Sequence, residues 1–341
     1  MNKFESVPLS KPNWCRELHQ FEPLVTRFAR DMRLKMKTIF TAVGGTKHGM
    51  EAILHIHLQD LSDNFAWRVR PMVIVCPGGA YAYTSDREAD PVAMQFLAMG
   101  YNAAVLRYSC APARYPDALI QLGRAHLYLR RHAKEFKIDP DAIYTVGFSA
   151  GGHLVCNYCE RWSEDFVRQQ LEYDIAHSMA KEDKHVDVEE LRPNGMMLGY
   201  PVITSGEYAH TGSIENLIGT AADYESEDRY RQMLDDISLE KHVNKDVPPA
   251  FIWGTAEDGS VHPMNSVLLV EALMRENIPV EYHLFRKGGH GLSLGDERTI
   301  SAMPESALND GGNINFQAAK EYVPSTSAWV SMAATWIRGL H

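Results

Sequence analysis

A serine flanked by glycines is the residue of this chain whose sequence context best fits a nucleophile. Ser149 is the centre of the pentapeptide GFSAG at 147–151, which follows the apolar run 143–146. At a sharp turn from strand to helix, such a serine has a strained backbone and its hydroxyl projects above the sheet. The helix predicted from Ala150 onward offers free N–H groups to developing negative charge. The pattern predicts a nucleophilic serine, with a purely structural turn as the alternative.

A serine hydroxyl is a weak nucleophile at neutral pH, so it needs a base, an orienting acid and donors for the oxyanion. Candidate donors follow the apolar strand predicted at 71–76, where the chain reads PGGAY. Backbone N–H groups in such a turn can approach a substrate oxygen, and losing one typically costs about 3–4 kcal/mol of transition-state stabilisation. A plain Gly-Gly turn is the alternative interpretation.

An acidic pair follows another predicted strand at 249–254. Glu257 and Asp258 both lie on the loop after this strand, where a carboxylate is well placed to hold an imidazole in one tautomer. We prefer Asp258, because its shorter side chain holds an orienting bond more rigidly and it precedes Val261 by three residues. Glu257 is the second choice.

The base must be selected from fifteen histidines. His290 differs from the others because glycines flank it on a loop after the last predicted strand, 279–285. His153 lies one helical turn past the serine, where packing against the sheet is expected, and His283 lies inside a strand. His262 is a further decoy. The order oxyanion loop, serine, aspartate, histidine is that of the α/β-hydrolase architecture.

The elements that would position these residues alternate between strands and helices. Apolar runs suit buried parallel strands, and helices between them suit right-handed crossovers. The strands are predicted near 51–58, 71–76, 102–108, 143–147, 196–200, 249–254 and 279–285, and the helices over 88–98, 116–136, 149–160, 263–276 and 324–339. Asp139-Pro140-Asp141 is predicted as a turn.

Charged segments interrupt this alternation. Residues 160–194 read as a solvated helical insertion, and residues 207–247 as a cap over the site or a surface helix pair. We therefore divide the chain into an extension, 1–50, which could contribute to a cap or to the first strands, and a catalytic domain, 51–341. A loop is expected over 297–322.

From about Glu51 onward, the chain resembles the acetylesterase-like branch of the α/β-hydrolases. This branch is related to hormone-sensitive lipase and includes acetyl xylan esterase-like carbohydrate esterases. The resemblance rests on six ordered segments, PGGAYAYTSDREADPVAMQF, GYNAAVLRYS, GFSAGGHL, GYPVITSGEYAHTGSIENLIG, SLEKHVNKDVPPAFIWGTAEDGSVHPMNS and GGHGLSL. It implies an α/β-hydrolase fold, with a mostly parallel sheet flanked by helices and a small helical cap.

The resemblance also implies roles for named residues. Ser149 would be the nucleophile, Asp258 the acid and His290 the base, and the oxyanion hole would use the backbone N–H groups of Gly79, Ala80 and Ala150. The family usually has a third glycine where this chain has Ala80, whose methyl group could narrow the acyl site. The implied activity is hydrolysis of short-chain acyl esters, acetyl above all, including acetyl groups on sugars. No metal or organic cofactor is required.

Aromatic residues near the predicted site are candidates for substrate contact. Tyr81, Tyr83 and Phe148 flank the predicted site in the sequence. They could supply an aromatic surface for a sugar ring or for an apolar alcohol. The sequence does not choose between these two substrates.

Composition excludes several partner classes. A net charge of −10 argues against nucleic acid and against anionic membrane surfaces. No stretch approaches the roughly 20 apolar residues that span a bilayer, and the first fourteen residues lack the apolar core of a secretory signal. Five cysteines, an odd number, favour reduced thiols in a cytoplasmic enzyme. The C-x-x-C pair Cys156 and Cys159 is predicted to be buried packing.

Three other functions remain open. A peptidase on this fold would need a substrate-gating domain, for which the chain has no room. An amidase or formamidase would use the same triad, and a non-catalytic binding protein should have lost a triad residue or an elbow glycine. The expected partner is a small-molecule ester, and a homodimer is compatible with the family.

Overall fold

A single eight-stranded sheet forms the centre of the computed structural model, which describes residues 35–45, 51–60, 66, 68–178, 183–300 and 323–340. The strand order is β1-β2-β4-β3-β5-β6-β7-β8. Strands β1, β2 and β4 pair antiparallel, and every other neighbouring pair is parallel. The strands are β1 (Lys35–Gly45), β2 (Glu51–Asp60), β3 (Arg70–Cys76), β4 (Asn102–Arg107), β5 (Ile138–Phe148), β6 (Gly195–Gly199), β7 (Ala250–Thr255) and β8 (Val280–Phe285).

Helices cover both faces of this sheet. Helices α1 and α9 contribute to the core on one face, and α2, α4, α5, α6 and α8 contribute to the core on the other. The helices are α1 (Asp90–Ala98), α2 (Asp117–Arg131), α3 (Ala133–Phe136), α4 (Ala150–Arg161), α5 (Asp165–His177), α6 (Thr211–Ile218), α7 (Glu227–Asp236), α8 (Met264–Arg275) and α9 (Trp329–Gly339). Short 3-10 turns lie at Asp86–Glu88, Val188–Leu191, Ala221–Asp223, Leu239–Lys241 and Glu297–Thr299.

The central strands are apolar along their whole length because both of their faces are covered. In β3, Met72 and Ile74 join one core while Val73 and Val75 join the other, and all four are fully buried. This alternation follows from the two-residue period of a strand. Because β3 to β8 run parallel, their carboxyl ends lie at one edge of the sheet. The loops that carry the site residues begin there.

Most predicted elements agree with the structure within a few residues, but the predicted helix 116–136 is two helices, α2 and α3, and the predicted helix 324–339 begins at Trp329. Two strands differ as well. Strand β1 lies in the predicted extension 1–50 as an antiparallel edge strand. Strand β5 begins at Ile138, so the predicted turn at 139–141 is wrong: these residues form an irregularity between the pairs Arg70↔Ile138 and Met72↔Ile143. Most of the predicted loop 297–322 lies outside the described residues.

The two charged segments hold helices that flank the sheet. Residues 160–194 contain α5 and the turn at Val188–Leu191, and residues 207–247 contain α6 and α7. Of these, α6 lies at the edge of the sheet where the strands have their carboxyl ends, since its Asn216 bonds to Ala80 on the loop after β3. Among the described residues, no helix is long and apolar enough to cross a membrane.

Candidate active site

Ser149 occupies the sharp turn between β5 and α4. Its backbone is left-handed, with φ 53° and ψ −120°, a conformation that costs a non-glycine residue about 1–3 kcal/mol. The neighbouring glycines allow the turn, because a Cβ on Gly147 would lie 2.2 Å from the carbonyl oxygen of Gly151. A Cβ on Gly151 would lie 2.1 Å from the carbonyl oxygen of Cys76 on β3. The G-x-S-x-G spacing is thus required by close backbone packing.

Three side chains from three loops form a continuous hydrogen-bonded chain. The Nε2 atom of His290 lies 2.8 Å from the Oγ atom of Ser149, and its Nδ1 atom lies 2.8 Å from Oδ2 of Asp258. With the Nδ1 proton donated to the carboxylate, Nε2 accepts the Ser149 hydroxyl proton. This arrangement can hold the imidazole in the tautomer that a general base needs.

The loop after β7 fixes the Asp258 carboxylate from its other side. Its Oδ1 atom accepts hydrogen bonds from the backbone N–H groups of Ser260, at 2.9 Å, and Val261, at 3.0 Å. The Asp258 side chain is only 2% exposed, whereas Glu257 is exposed to solvent. The geometry therefore brings Asp258, and not Glu257, to the histidine.

The loop after β8 presents His290 to the site and is anchored to the core on both sides. Gly288, with φ 129°, accepts a hydrogen bond at its carbonyl from the Thr255 hydroxyl at 2.8 Å. The Ser293 N–H donates to the Tyr200 hydroxyl at 2.8 Å. The Tyr200 ring also packs edge-on against the imidazole of His290, with 5.0 Å between ring centroids.

A buried carboxylate connects this base loop to the glycine turn after β3. The Tyr200 hydroxyl donates to Oε1 of Glu88 at 2.7 Å, and the Gly78 N–H donates to Oε2 at 2.8 Å. Burial and the neighbouring Glu88 raise the pKa of Tyr200 well above its ordinary value. Tyr200 therefore stays a neutral donor, and this network fixes the spacing between the two loops.

The glycine turn leaves backbone donors open beside the serine. Gly79 has φ 129° and Ala80 has φ 54°, so the chain turns back on itself after Gly78. Within the described part of the chain, no acceptor pairs with the N–H groups of Gly79, Ala80 or Ala150. Open N–H groups at a turn and at the first residue of a helix are what an oxyanion hole requires.

Two of the predicted substrate contacts are wrong. Tyr81 is 3% exposed, and its hydroxyl is bonded to Nδ1 of His153 at 2.9 Å. Phe148 is fully buried, since the last residue of β5 points into the core, where it packs against Trp329. Tyr83 is 63% exposed at the end of the glycine turn and remains a candidate.

The histidines set aside from the sequence have other partners. His153 is fully buried and bonded through Nε2 to the Ile237 carbonyl at 3.0 Å. Burial lowers its pKa to about 4. His262 stacks on Tyr208, with ring centroids 4.6 Å apart, and His283 bonds to Glu281 on β8.

The C-x-x-C pair on α4 is buried, and its thiols are free. Burial raises the pKa of both Cys156 and Cys159 well above the ordinary thiol value, which makes them poor nucleophiles. Among the residues that the structure describes, no group of three His, Cys, Asp or Glu side chains could hold a metal ion.

Sequence reasoning did not identify four residues that lie in or beside the site. Glu88 and Tyr200 form the network described above, and Asn216 on α6 donates to the Ala80 carbonyl at 2.9 Å. His210, just before α6, has its Nε2 atom 3.5 Å from the Ser260 hydroxyl. Burial lowers the pKa of His210, and the nearby His290 lowers it further by a smaller amount. Glu88, Tyr200 and Asn216 lie in the segments DREAD, GYP and IENLIG, respectively. In the sequence, these segments stood out only as parts of family motifs.

The sheet order, the crossover helices and the strand-end loops together define an α/β-hydrolase. A family model described as BD-FAE matches residues 62–273, well over half of the chain. The protein belongs to the BD-FAE family.

Solved structures of similar shape agree with this assignment. The acetyl ester-xyloside bifunctional hydrolase of Caldicellulosiruptor lactoaceticus superposes with a TM-score of 0.67 and 26% sequence identity. The match covers 90% of this chain and 98% of that one. The carboxylesterase Cest-2923 of Lactobacillus plantarum gives a TM-score of 0.66 with 27% identity, over 89% of this chain and 98% of that one.

A curated relative is longer than this chain. Endo-1,4-beta-xylanase B of Butyrivibrio fibrisolvens is 34% identical over 237 residues, which is 68% of this chain and 34% of that protein. The chain thus spans about a third of the length of this relative.

Proposed function

We propose that this protein is a serine-dependent carboxylic ester hydrolase that acts on short-chain acyl esters, acetyl esters above all. The observation that carries the proposal is the Ser149–His290–Asp258 chain, with 2.8 Å at each hydrogen bond. The open N–H groups of Gly79 and Ala80 support it further. The structurally similar proteins include one named as a carboxylesterase and one named as an acetyl ester-xyloside bifunctional hydrolase.

The proposed reaction has two stages. His290 takes the Ser149 proton as the oxygen attacks the ester carbonyl, and the N–H groups of Gly79, Ala80 and Ala150 hold the oxyanion. The tetrahedral intermediate collapses, and His290 gives its proton to the departing alcohol, which leaves an acyl-serine. Water, deprotonated by His290, then attacks the acyl-serine. The second tetrahedral intermediate releases the acid as His290 returns the proton to the Ser149 oxygen. Asp258 keeps its negative charge and orients the imidazole throughout.

The acyl group is proposed to be small. Ala80 carries a methyl group on the turn whose N–H groups would face the scissile carbonyl. In the proposed complex, this methyl group would narrow the space beside the acyl chain. Ser149 itself is only 6% exposed, which also favours a short acyl group over a long one.

Acetylated carbohydrate is the proposed alcohol component. An acetylxylan esterase of Xylanibacter ruminicola is 25% identical over 248 residues, which is 71% of this chain and 44% of that protein. The exposed ring of Tyr83 beside the glycine turn offers a surface on which a sugar ring can pack. The sequence features described above extend the proposal to a cytoplasmic enzyme that needs no metal or organic cofactor. The family resemblance is compatible with a homodimer.

A chain-length series tests the activity and the acyl preference together. Purified protein is assayed on 4-nitrophenyl acetate, butyrate and octanoate, and on acetylated xylo-oligosaccharides, with 4-nitroacetanilide as the amide control. We expect acetate to be hydrolysed best and acetic acid to be released from the oligosaccharides. Faster turnover of octanoate would contradict the short-acyl proposal. Turnover of the anilide above all esters would favour an amidase.

A further inference from the structure

Helix α6 and the residue just before it contact two of the loops that form the site. Its eight residues extend over about 12 Å. Just before the helix, His210 lies against Ser260 on the loop that carries Asp258. In its last turn, Asn216 donates from Nδ2 to the carbonyl oxygen of Ala80 at 2.9 Å. A helix from the 207–247 segment therefore connects the acid loop to the turn that carries the proposed oxyanion donors.

The carbonyl groups of that turn are all held by hydrogen bonds, and the donor to Ala80 is unlike the others. The carbonyl oxygens of Gly78, Gly79 and Tyr81 accept backbone N–H groups, which come from Ser85, Ala82 and Ala111, respectively. The Ala80 carbonyl instead accepts the Asn216 side chain. One carboxamide from another part of the chain thus completes the hydrogen bonding of the turn.

The Ala80 carbonyl is a sensitive point of the turn. Ala80 and Tyr81 both have left-handed backbones, with φ of 54° and 56°, which side-chain-bearing residues adopt only when their surroundings hold them there. The Ala80 N–H and the Ala80 carbonyl belong to successive peptide groups that meet at one Cα atom. Fixing the second peptide limits rotation about that atom, and so fixes the direction of the first.

Asn216 is held firmly enough to serve as this anchor. Its own carbonyl accepts a hydrogen bond from the Arg114 guanidinium at 2.7 Å. The next carbonyl, that of Leu217, accepts the Tyr115 N–H at 2.9 Å. Ile214 and Leu217 are buried in the core beneath the helix. The carboxamide therefore projects from a fixed helix and not from a free loop.

We propose that Asn216 is a positioning residue for the oxyanion hole. By holding the Ala80 carbonyl, it keeps the Ala80 N–H directed at the oxygen of the substrate carbonyl group. This inference rests on the proposed function. Asn216 touches no reacting atom in this account. Its effect should therefore fall on the transition state, where the oxyanion forms, and not on substrate binding.

Two substitutions separate this role from simple packing. Asn216→Asp keeps the shape of the side chain and replaces the donor with an oxygen that repels the Ala80 carbonyl. Asn216→Ala removes the contact. Asn244→Ala is the matched control, because Asn244 Nδ2 also donates to a backbone carbonyl, that of Glu160, at 2.8 Å. All variants are assayed on 4-nitrophenyl acetate, and their melting temperatures are compared.

Both Asn216 variants are expected to lose about 10- to 100-fold in kcat, with KM within about twofold of wild type. The inhibition constant of a trifluoromethyl ketone, whose adduct places an oxyanion in the hole, should rise by the same factor as kcat/KM falls. Asn244→Ala should keep wild-type kcat.

Wild-type kcat in both Asn216 variants would overturn the inference while leaving the esterase proposal intact. An unchanged inhibition constant alongside a lower kcat would also overturn it, because a loss unrelated to the oxyanion would then be the cause. A wild-type protein that hydrolyses no ester and forms no ketone adduct would overturn the proposed function itself, and this inference with it.

Discussion

His290 and His153 are both close to Ser149, but they lie in two regions with different surroundings. We call the first region the site face; it comprises Ser149, His290, Asp258 and the glycine turn. The second, the buried layer, comprises the residues of α4 that face the core, including His153 and Glu160. His290 is 21% exposed at its side chain and bonds to the serine, whereas His153 is fully buried.

The difference shows that surroundings, and not residue type, decide what a histidine does here. In the site face, one imidazole nitrogen is held by a carboxylate and the other meets a hydroxyl that can give up its proton. In the buried layer, both nitrogens of His153 are already bonded, to Tyr81 and to Ile237. Burial keeps that ring neutral, so it serves the packing of the elbow and not proton transfer.

The largest expected effect comes from breaking the site face at its acid. Asp258→Asn should lower kcat on 4-nitrophenyl acetate by about 10⁴-fold, because the amide can no longer hold His290 in the base tautomer. The neighbouring Glu257→Gln is the matched control and should keep wild-type activity, since Glu257 is exposed. If the two variants lost activity equally, the assignment of the acid would be wrong.

A smaller effect is expected in the buried layer, on stability and not on chemistry. The pKa of His153 falls from its ordinary 6.5 to about 4 on folding, mainly through burial. As pH falls, His153 therefore takes up a proton in the unfolded chain at a higher pH than in the folded protein. The shift predicts that stability decreases from about pH 6.5 down to about pH 4, by roughly 3 kcal/mol at most.

Urea unfolding at pH 7, 6 and 5 checks this pH dependence. His153→Gln should show a shallower decrease than wild type; His126, whose pKa burial also lowers, accounts for part of the remaining decrease. The exposed His177→Gln serves as a control and should follow wild type. A His153 variant with the full wild-type pH dependence would contradict the assignment of a neutral buried imidazole.

A second effect on stability, with the opposite pH dependence, comes from Glu160. Burial raises the pKa of this carboxyl well above its ordinary 4.5, so the folded protein keeps a proton that the unfolded chain releases. Stability should therefore decrease as pH rises from 4.5 toward the folded-state pKa. Glu160→Gln resembles the protonated acid and should lack this decrease, as thermal unfolding at pH 6 and pH 8.5 would show. Equal changes in wild type and variant would argue against a protonated Glu160.

The site face could be predicted from sequence because its residues follow strand ends in a fixed order. The spacing of GFSAG, the glycines after β3 and the loops after β7 and β8 are local features, and the parallel sheet brings them to one edge. The choice of Asp258 over Glu257 also used local features, its shorter side chain and its position three residues before Val261. In the structure, the Val261 N–H donates to the Asp258 carboxylate.

The contacts that support the site could not be predicted in the same way. Glu88 meets Tyr200, and Asn216 meets Ala80, across more than a hundred residues of sequence. The errors at Tyr81 and Phe148 have a related cause. A position beside the nucleophile in sequence does not determine the face to which a side chain points, and in a strand that face alternates with each residue.

Covalent labelling with a fluorophosphonate tests the central claim most directly. In the expected reaction, the Ser149 oxygen attacks phosphorus, fluoride leaves and His290 takes the proton. Intact-protein mass should show a single adduct on the wild type and none on Ser149→Ala. Circular dichroism should show that both proteins are folded. An adduct that persists on the variant, or its absence from the folded wild type, would contradict an activated Ser149.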